Sequence, residues 1–154
     1  MREILFRGKR TCGGDWVVGN AKNGYYGFHG RKDSGIACMI TQQNFLNAGA
    51  GPHACGETDY FVNPHTVGQF IGMLDKNGKR IFEGDLISIE FENDHEAYEN
   101  PPIWHETAEV VWSQEHFGWF AKFSDEEMLS MSEYNDSSIV EVIGNIHDRG
   151  KENG

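Results

Sequence analysis

An Asn-Gly pair between two apolar runs is the strongest local constraint on how this 154-residue chain folds. Asn77-Gly78 separates the run Phe70–Leu74 from Ile81–Phe82. A two-residue type I′ turn requires positive φ at both central residues, and both of these residue types tolerate it. The pattern therefore predicts a β-hairpin over residues 70–82.

Alternation of apolar and polar residues predicts further strands after this hairpin. Residues 86–92 alternate in this way. A second hairpin is expected, with Gly118 in the left-handed position of its turn. The strands of that hairpin and the final strand of the chain are predicted at 108–112, 119–123 and 139–146, with Gly144 as a bulge.

Two segments between these strands are predicted to be something other than sheet. Residues 93–106 are polar, acidic and interrupted by Pro101-Pro102, which is typical of a long exposed loop. Ser124 and Glu127 have the spacing of a capping box, so a short helix is expected over residues 124–131.

The first half of the chain also consists of short β-like runs. Turns are predicted at Gly13-Gly14 and Asn23-Gly24, and a helical turn at residues 42–46. The predicted strands are 3–7, 15–18, 24–28, 36–40 and 60–62. Many short strands with little helix predict a mainly β fold, all-β or α+β. We expect a barrel-like arrangement of antiparallel strands and hairpins with one or two short helices.

Charge is distributed unevenly along the chain. The formal net charge is -11, of which residues 69–154 carry -13 and residues 1–68 carry +2. The acidic half is therefore not expected to bind nucleic acid, which requires a basic surface. We predict one domain over 1–154 with two lobes, a glycine-rich one at 1–68 and an acidic β lobe at 69–147, and a frayed tail at 148–154.

Composition also bears on the cellular compartment. No apolar run approaches the roughly 18 residues of a membrane-spanning helix, and the first residues lack the apolar stretch of a signal peptide. The three cysteines are an odd number, which disfavours a disulfide framework. We therefore expect a cytoplasmic protein that makes no membrane contact.

Cysteines and histidines supply two candidate metal sites. Cys12, Cys38, His53 and Cys55 combine soft ligands with a histidine, but they lack the paired spacing of structural zinc sites. A second group has no H-E-x-x-H pattern; it consists of His95, His105, His116, Glu96, Glu106 and Glu115. Reduced cysteines and a solvated charged loop are favoured, and whether His53, Cys55 or the loop 93–106 binds a ligand stays open.

Signatures of enzyme chemistry are missing from the sequence. There is no G-x-S-x-G elbow and no phosphate-binding glycine loop. The aromatic residues of the acidic half lack a basic groove, so core or interface positions are favoured over a base-stacking platform; they are Trp104, Trp112, Trp119 and Phe120. No catalytic, cofactor-binding or metal-binding residue is assigned.

Three blocks of sequence carry a family resemblance. They are Met1–Arg10 with Asp15–Gly19, Val62–Gly72 with Asp75–Ile87, and Val110–Trp112 with Glu141–Ile146. Together they resemble the YopX family of phage and prophage proteins. The resemblance implies a small, mainly β, barrel-containing cytosolic protein of a phage or prophage, and it implies no reaction.

The second block is predicted to be a structural element. The Asp75 carboxylate is placed to cap the hairpin turn, and Gly72 and Gly84 allow bends at the two ends of the hairpin. Asp85 begins a strand, where its carboxylate is able to accept backbone N–H bonds. Turn glycines with turn carboxylates favour a role in the fold over a role in catalysis.

Three function hypotheses follow from these observations. The first is a non-enzymatic accessory protein in the host bacterial cell, which contacts a phage or host protein through its acidic face, in one version by imitating nucleic acid. The second is a nucleic-acid-associated small barrel that uses basic residues of the first half, namely Arg2, Arg7, Lys9, Arg10, Arg31 and Lys32. The third is a metal-dependent enzyme. A homo-oligomer stays open.

Overall fold

The computed structural model describes residues 3–26, 35–45, 55–93, 101–134 and 137–151. The chain divides into two compact units, Met1–Gln69 and Phe70–Gly154. Most of the described residues lie in strands, and every strand pair is antiparallel. The prediction of a mainly β fold is therefore confirmed.

Eleven strands and four short 3₁₀ helices make up the described part of the chain. The strands are β1 Phe6–Lys9, β2 Trp16–Tyr26, β3 Gly35–Phe45, β4 Cys55–Phe61, β5 Gly68–Leu74, β6 Arg80–Phe82, β7 Asp85–Glu92, β8 Ile103–Ser113, β9 Gly118–Lys122, β10 Met128–Ser130 and β11 Val140–Asn145. The 3₁₀ helices are Pro64–Thr66, Met131–Glu133, Ser137–Ile139 and Ile146–Lys151.

The first unit is a sheet in the order β4-β3-β2-β1, with the first residues of β5 paired to β1. A single bridge, Arg10 to Val62, joins the ends of β1 and β4. The buried core cluster of the first unit consists, among the described residues, of Val17, Ile40 and Val62. The Asn63 side chain accepts a hydrogen bond from the N–H of His65 and so caps the 3₁₀ helix that follows β4.

Two local predictions for the first unit are wrong. Asn23-Gly24 lies inside β2 and pairs with β3, so it forms no turn. Residues 42–45 continue β3 and pair with β4, so no helical turn forms there. In both cases a long ladder of backbone hydrogen bonds overrides the local conformational preference of a short segment. The predicted turn at Gly13-Gly14 is confirmed, since both glycines have positive φ.

The second unit contains the β5–β6 hairpin and a five-stranded sheet in the order β10-β9-β8-β7-β11. One face of this sheet carries the core, because alternate residues of β7, β8 and β9 are buried. The buried cluster is Ile71, Ile81, Ile87, Ile89, Ala108, Val110, Ala121, Met131, Tyr134 and Val140. The sheet is open, with β10 and β11 at its two edges, so the barrel-like arrangement does not form.

The helix predicted over 124–131 is absent. The Ser124 hydroxyl accepts from the N–H of Glu126, and the N–H of Phe123 donates to the carbonyl of Glu127 at 3.0 Å. These bonds close a tight turn, and β10 then pairs with β9. Pairing with a strand already in the sheet satisfies more backbone groups than one helical turn would.

The loop predicted over 93–106 is shorter than expected. β8 begins at Ile103, which lies opposite Glu92 of β7, and the N–H of Asn93 donates to the carbonyl of Pro102. Residues 94–100 lie outside the described residues. Trp104, His105 and Glu106 are therefore strand residues of a long hairpin.

Three turn details complete the second unit. The 70–82 hairpin is confirmed, but positive φ is found at Gly78 and not at Asn77, so the turn is not type I′. In the β8–β9 turn Phe117, not Gly118, has positive φ. The register shift between Val142 and Gly144 confirms the predicted bulge.

The predicted tail at residues 148–154 is described only in part. Residues up to Lys151 lie in a 3₁₀ helix, and the remaining residues lie outside the described part of the chain.

Candidate functional site

Asp75 organises the backbone at the end of the β5–β6 hairpin. It is 3% exposed, and its Oδ1 accepts hydrogen bonds from the N–H groups of Asn77 and Lys79, both at 2.9 Å. Its Oδ2 accepts from the N–H of Val142 in β11 at 3.0 Å. Burial opposes ionisation of this carboxyl, but the three backbone donors outweigh it and lower the pKa of Asp75.

Asp85 has a similar role at the start of β7. It is 1% exposed, and its Oδ2 accepts from the N–H of Phe82 at 2.8 Å. The side-chain amide of Asn145 donates to its Oδ1, and the Oδ1 of Asn145 accepts from the N–H of His147. Asp85 and Asn145 thus join the start of β7 to the end of β11.

These contacts confirm the hydrogen bonds predicted for the two turn carboxylates. Asp75 caps the hairpin turn and Asp85 accepts a backbone N–H, as the sequence predicted. Gly72 and Gly84 have φ of 92° and 81°, which fits the predicted bends. Both carboxylates are buried, and their oxygens accept hydrogen bonds from groups that hold the turns and strands together.

The structure does not bring the candidate cysteines together. Cys55 in β4 pairs with Phe45 in β3. Phe45 lies seven residues from Cys38 on the same strand, which corresponds to about 23 Å at ~3.3 Å per residue. Cys38 and Cys55 therefore lie at distant positions along the β3–β4 ladder. Cys12 is an exposed thiol, and His53 lies outside the described residues.

The candidate histidines are also separate. His105 in β8 faces Glu90 across the sheet, with Nε2 and Oε2 3.3 Å apart. His116 lies in the β8–β9 turn, where its Nδ1 is 3.0 Å from the Ser113 hydroxyl. Eight strand residues, about 26 Å, separate His105 from Ser113. His95 lies outside the described residues, which contain no group of side chains arranged to hold a metal ion.

The basic side chains of the first unit are engaged by aromatic rings. The guanidinium of Arg7 lies 4.7 Å from the ring centroid of Trp16, and the ammonium of Lys9 lies 5.4 Å from the same ring. Arg10 lies over Tyr60 and forms an ion pair with Asp15 at 3.2 Å. Arg2, Arg31 and Lys32 lie outside the described residues, so the predicted basic patch is described only in part.

The second unit exposes many carboxylates. Eight described carboxylate side chains are exposed there: Glu92, Glu106, Glu115, Asp125, Glu126, Glu127, Glu133 and Asp148. Among the residues of the second unit whose burial is described, the exposed cations are Lys76, Lys79 and Arg80. Lys76 forms an ion pair with Glu141, and Lys122 with Asp125 at 2.7 Å. We call the eight residues the acidic surface.

The four candidate aromatic residues differ in burial. Trp119 and Phe120 are half-buried, and Trp119 packs against the core. Trp112 and Trp104 are each 43% exposed. Trp112 contacts Trp119 edge-on with centroids 5.0 Å apart. The sequence interpretation of core and interface residues fits Trp119 and leaves Trp104 and Trp112 as accessible rings.

The fold and these contacts define a small, mainly β protein whose turns are held by buried carboxylates. The chain belongs to the YopX family, because the family model described as YopX protein matches residues 25–151. The blocks containing Asp75, Asp85 and Val142 lie within the match, whereas Met1–Gly19 precedes it. Comparisons with curated proteins and with solved structures gave no match. None of the helices among the described residues has the length and apolar character needed to span a bilayer.

Proposed function

We propose that this protein is a non-enzymatic accessory protein of a phage or prophage that binds a basic protein partner through its acidic surface. The observation that supports the proposal is the imbalance of exposed charge in the second unit. Among its described residues, eight carboxylates are exposed but only three cations. A field of one sign steers a partner of opposite charge and repels one of like charge. The cytoplasm of the host bacterium is the proposed site of action.

A protein partner fits this surface better than a nucleic acid does. Phosphates would meet carboxylates in the second unit, and the described cations of the first unit lie against Trp16 and Tyr60. Imitation of nucleic acid requires the carboxylates to follow one stripe. Glu92 and Glu109 lie on the sheet face opposite the core, whereas Glu106 alternates onto the core face. We therefore propose charge complementarity without mimicry.

Affinity capture with designed variants tests this proposal. One variant carries Gln or Asn at all eight positions of the acidic surface, and its matched control exchanges Glu and Asp there, which keeps the charge. Immobilised protein is exposed to host lysate, and the captured proteins are then purified and rebound individually. We expect basic partners that the wild type and the control retain, and that the neutralised variant and high salt release. Equal capture by the neutralised variant would overturn the proposal.

A further inference from the structure

A group of aromatic rings lies at one end of the five-stranded sheet, on its core face. Phe91 stands at the centre: its ring centroid is 5.7 Å from Trp104, 6.1 Å from Phe123 and 6.4 Å from Tyr134. Trp104 stacks on Phe91 with 20° between the ring planes and remains 43% exposed. The group therefore offers one accessible indole ring stacked on the ring of Phe91.

Three glutamates adjoin the aromatic residues, one by a side-chain contact and two by their positions on the backbone. Glu106 follows Trp104 by two residues in β8, so it lies on the same face, and its Oε1 accepts from the indole Nε1 of Trp104 at 3.0 Å. The backbone of Glu127 pairs with that of Phe123, which places the two residues opposite each other. Glu133 directly precedes Tyr134. No lysine or arginine in the described part of the chain forms an ion pair with any of the three.

Tyr134 contributes an unused polar group to the same place. The residue is 7% exposed, and its hydroxyl has no hydrogen-bond partner among the described residues. Burial raises the pKa of Tyr134 to about 12, with further contributions from the charges of Glu133, Glu106 and Glu127. Tyr134 therefore adds a buried hydroxyl without a described partner to the aromatic group, and its ring is 6.4 Å from that of Phe91.

The chemistry of this arrangement favours an organic cation. Carboxylates beside an accessible aromatic face attract guanidinium and ammonium groups through ion pairing and cation–π contact. A guanidinium is planar and stacks on indole while it donates to carboxylates in two directions, which a compact ammonium does less well.

We propose that the aromatic–glutamate cluster, formed by Phe91, Trp104, Tyr134, Glu106, Glu127 and Glu133, binds an arginine side chain of the partner. The guanidinium stacks on Trp104 and pairs with the glutamates. This inference rests on the proposed function and gives it a specific point of contact.

A peptide titration tests the cluster directly. The probe is acetyl-Gly-Arg-Gly-amide, and its control contains citrulline, a neutral isostere of arginine. The ¹⁵N–¹H resonance of the Trp104 indole, assigned with Trp104→Phe, reports binding at the site. We expect the arginine peptide to shift this resonance in a saturable and salt-sensitive way, and the citrulline peptide to leave it unchanged. No shift with the arginine peptide would overturn the proposal.

Two triple variants separate the cluster from general electrostatics. Glu106→Gln with Glu127→Gln and Glu133→Gln removes the cluster charges, whereas Glu92→Gln with Glu109→Gln and Glu115→Gln removes the same charge elsewhere. We expect the first to weaken peptide binding about tenfold or more and the second to change it about twofold or less. Equal weakening by both variants would refute a specific site.

The two variants also distinguish this inference from the proposed function. One outcome is that the two triple variants lose the captured partner equally and the variant neutralised at all eight positions loses it as well. In that case the acidic surface binds the partner, but the cluster is not the specific point of contact. If full neutralisation has no effect on capture, the proposed function is wrong, and the peptide titration still decides whether the cluster binds a guanidinium. If, of the two triple variants, only the cluster variant loses the captured partner, the result supports both the proposed function and the cluster as its point of contact.

Discussion

The carboxylate of Asp75 accepts a hydrogen bond at 3.0 Å from the backbone N–H of Val142, which lies 67 residues further along the chain. The same carboxylate caps the turn after β5, and the neighbouring N–H of Lys76 donates to the carbonyl of Val140. One side chain therefore fixes both a local turn and the position of the last strand. This contact joins two segments of the second unit that are far apart in the sequence.

Asp75→Asn should destabilise the second unit strongly. An amide has one acceptor oxygen, so either the turn N–H groups or the N–H of Val142 lose their partner inside the protein. We expect the free energy of unfolding to fall by about 2 kcal/mol, the usual cost of a buried unsatisfied group. Urea denaturation followed by circular dichroism measures it. Asp125→Asn, at an exposed position, is the control and should leave the midpoint unchanged; equal midpoints for both variants would contradict the role of Asp75.

Acid stability should depend on the same residue. The pKa of Asp75 is lower in the folded state than its ordinary value of 3.8, because backbone donors favour the charged form despite burial. Its contribution to stability is therefore present above pH 3.8 and is lost as the pH falls through the folded-state pKa. The wild type should lose stability in this interval, and Asp75→Asn should lose less. Parallel pH profiles for the two proteins would count against this linkage.

Local features of the sequence predicted the parts of the fold that depend on local chemistry. The hairpin at Asn77-Gly78, the Asp75 cap and the Gly144 bulge are decided by residues close in sequence, and all three form. The helix expected from Ser124 and Glu127 does not form, because β9 offers a better set of backbone partners. Asn23-Gly24 failed as a turn for the same reason. A short motif contains no information about the distant strand with which its backbone pairs in the folded chain.

The candidate site was harder to predict for a related reason. The polar composition and Pro101-Pro102 predict a loop for Trp104 and Glu106, whereas the two residues lie on one face of β8. The alternation of Trp104, His105 and Glu106 is a two-residue period that could have extended β8. The approach of Glu127 and Tyr134 depends on the turn between β9 and β10 and on the residues after β10. The net charge of each half of the sequence indicates which half is acidic, but it does not indicate which glutamates lie beside aromatic residues in the fold.

Phe117→Asn should stabilise the protein. Phe117 has a φ of 50° and is 73% exposed, so it adopts a left-handed conformation and buries little surface. Asparagine tolerates this conformation better than phenylalanine, and we expect a gain of about 0.5–1 kcal/mol in the free energy of unfolding. Thermal and urea denaturation measure the gain.

Gly118→Ala is the matched comparison in the same turn. Gly118 lacks positive φ, and an added Cβ would lie 3.6 Å from the ring of Phe120, an ordinary contact. We expect a change within about 0.5 kcal/mol in either direction. A strong loss of stability in Gly118→Ala, together with none of the gain in Phe117→Asn, would show that the glycine is the left-handed residue in solution.

Tyr134 should make the protein sensitive to alkaline pH. Burial and the nearby glutamates raise the pKa of Tyr134 from 10.0 to about 12, so the folded state holds this proton more tightly than the unfolded state does. The stabilising contribution is complete below pH 10 and is lost as the pH rises towards about 12. We expect the free energy of unfolding of the wild type to fall in this interval and that of Tyr134→Phe to fall less. Urea denaturation across the interval measures the free energy of unfolding of both proteins. If Tyr134→Phe follows the wild type, the hydroxyl does not lie in the carboxylate field, and the cluster loses the polar group that sets it apart from the rest of the acidic surface.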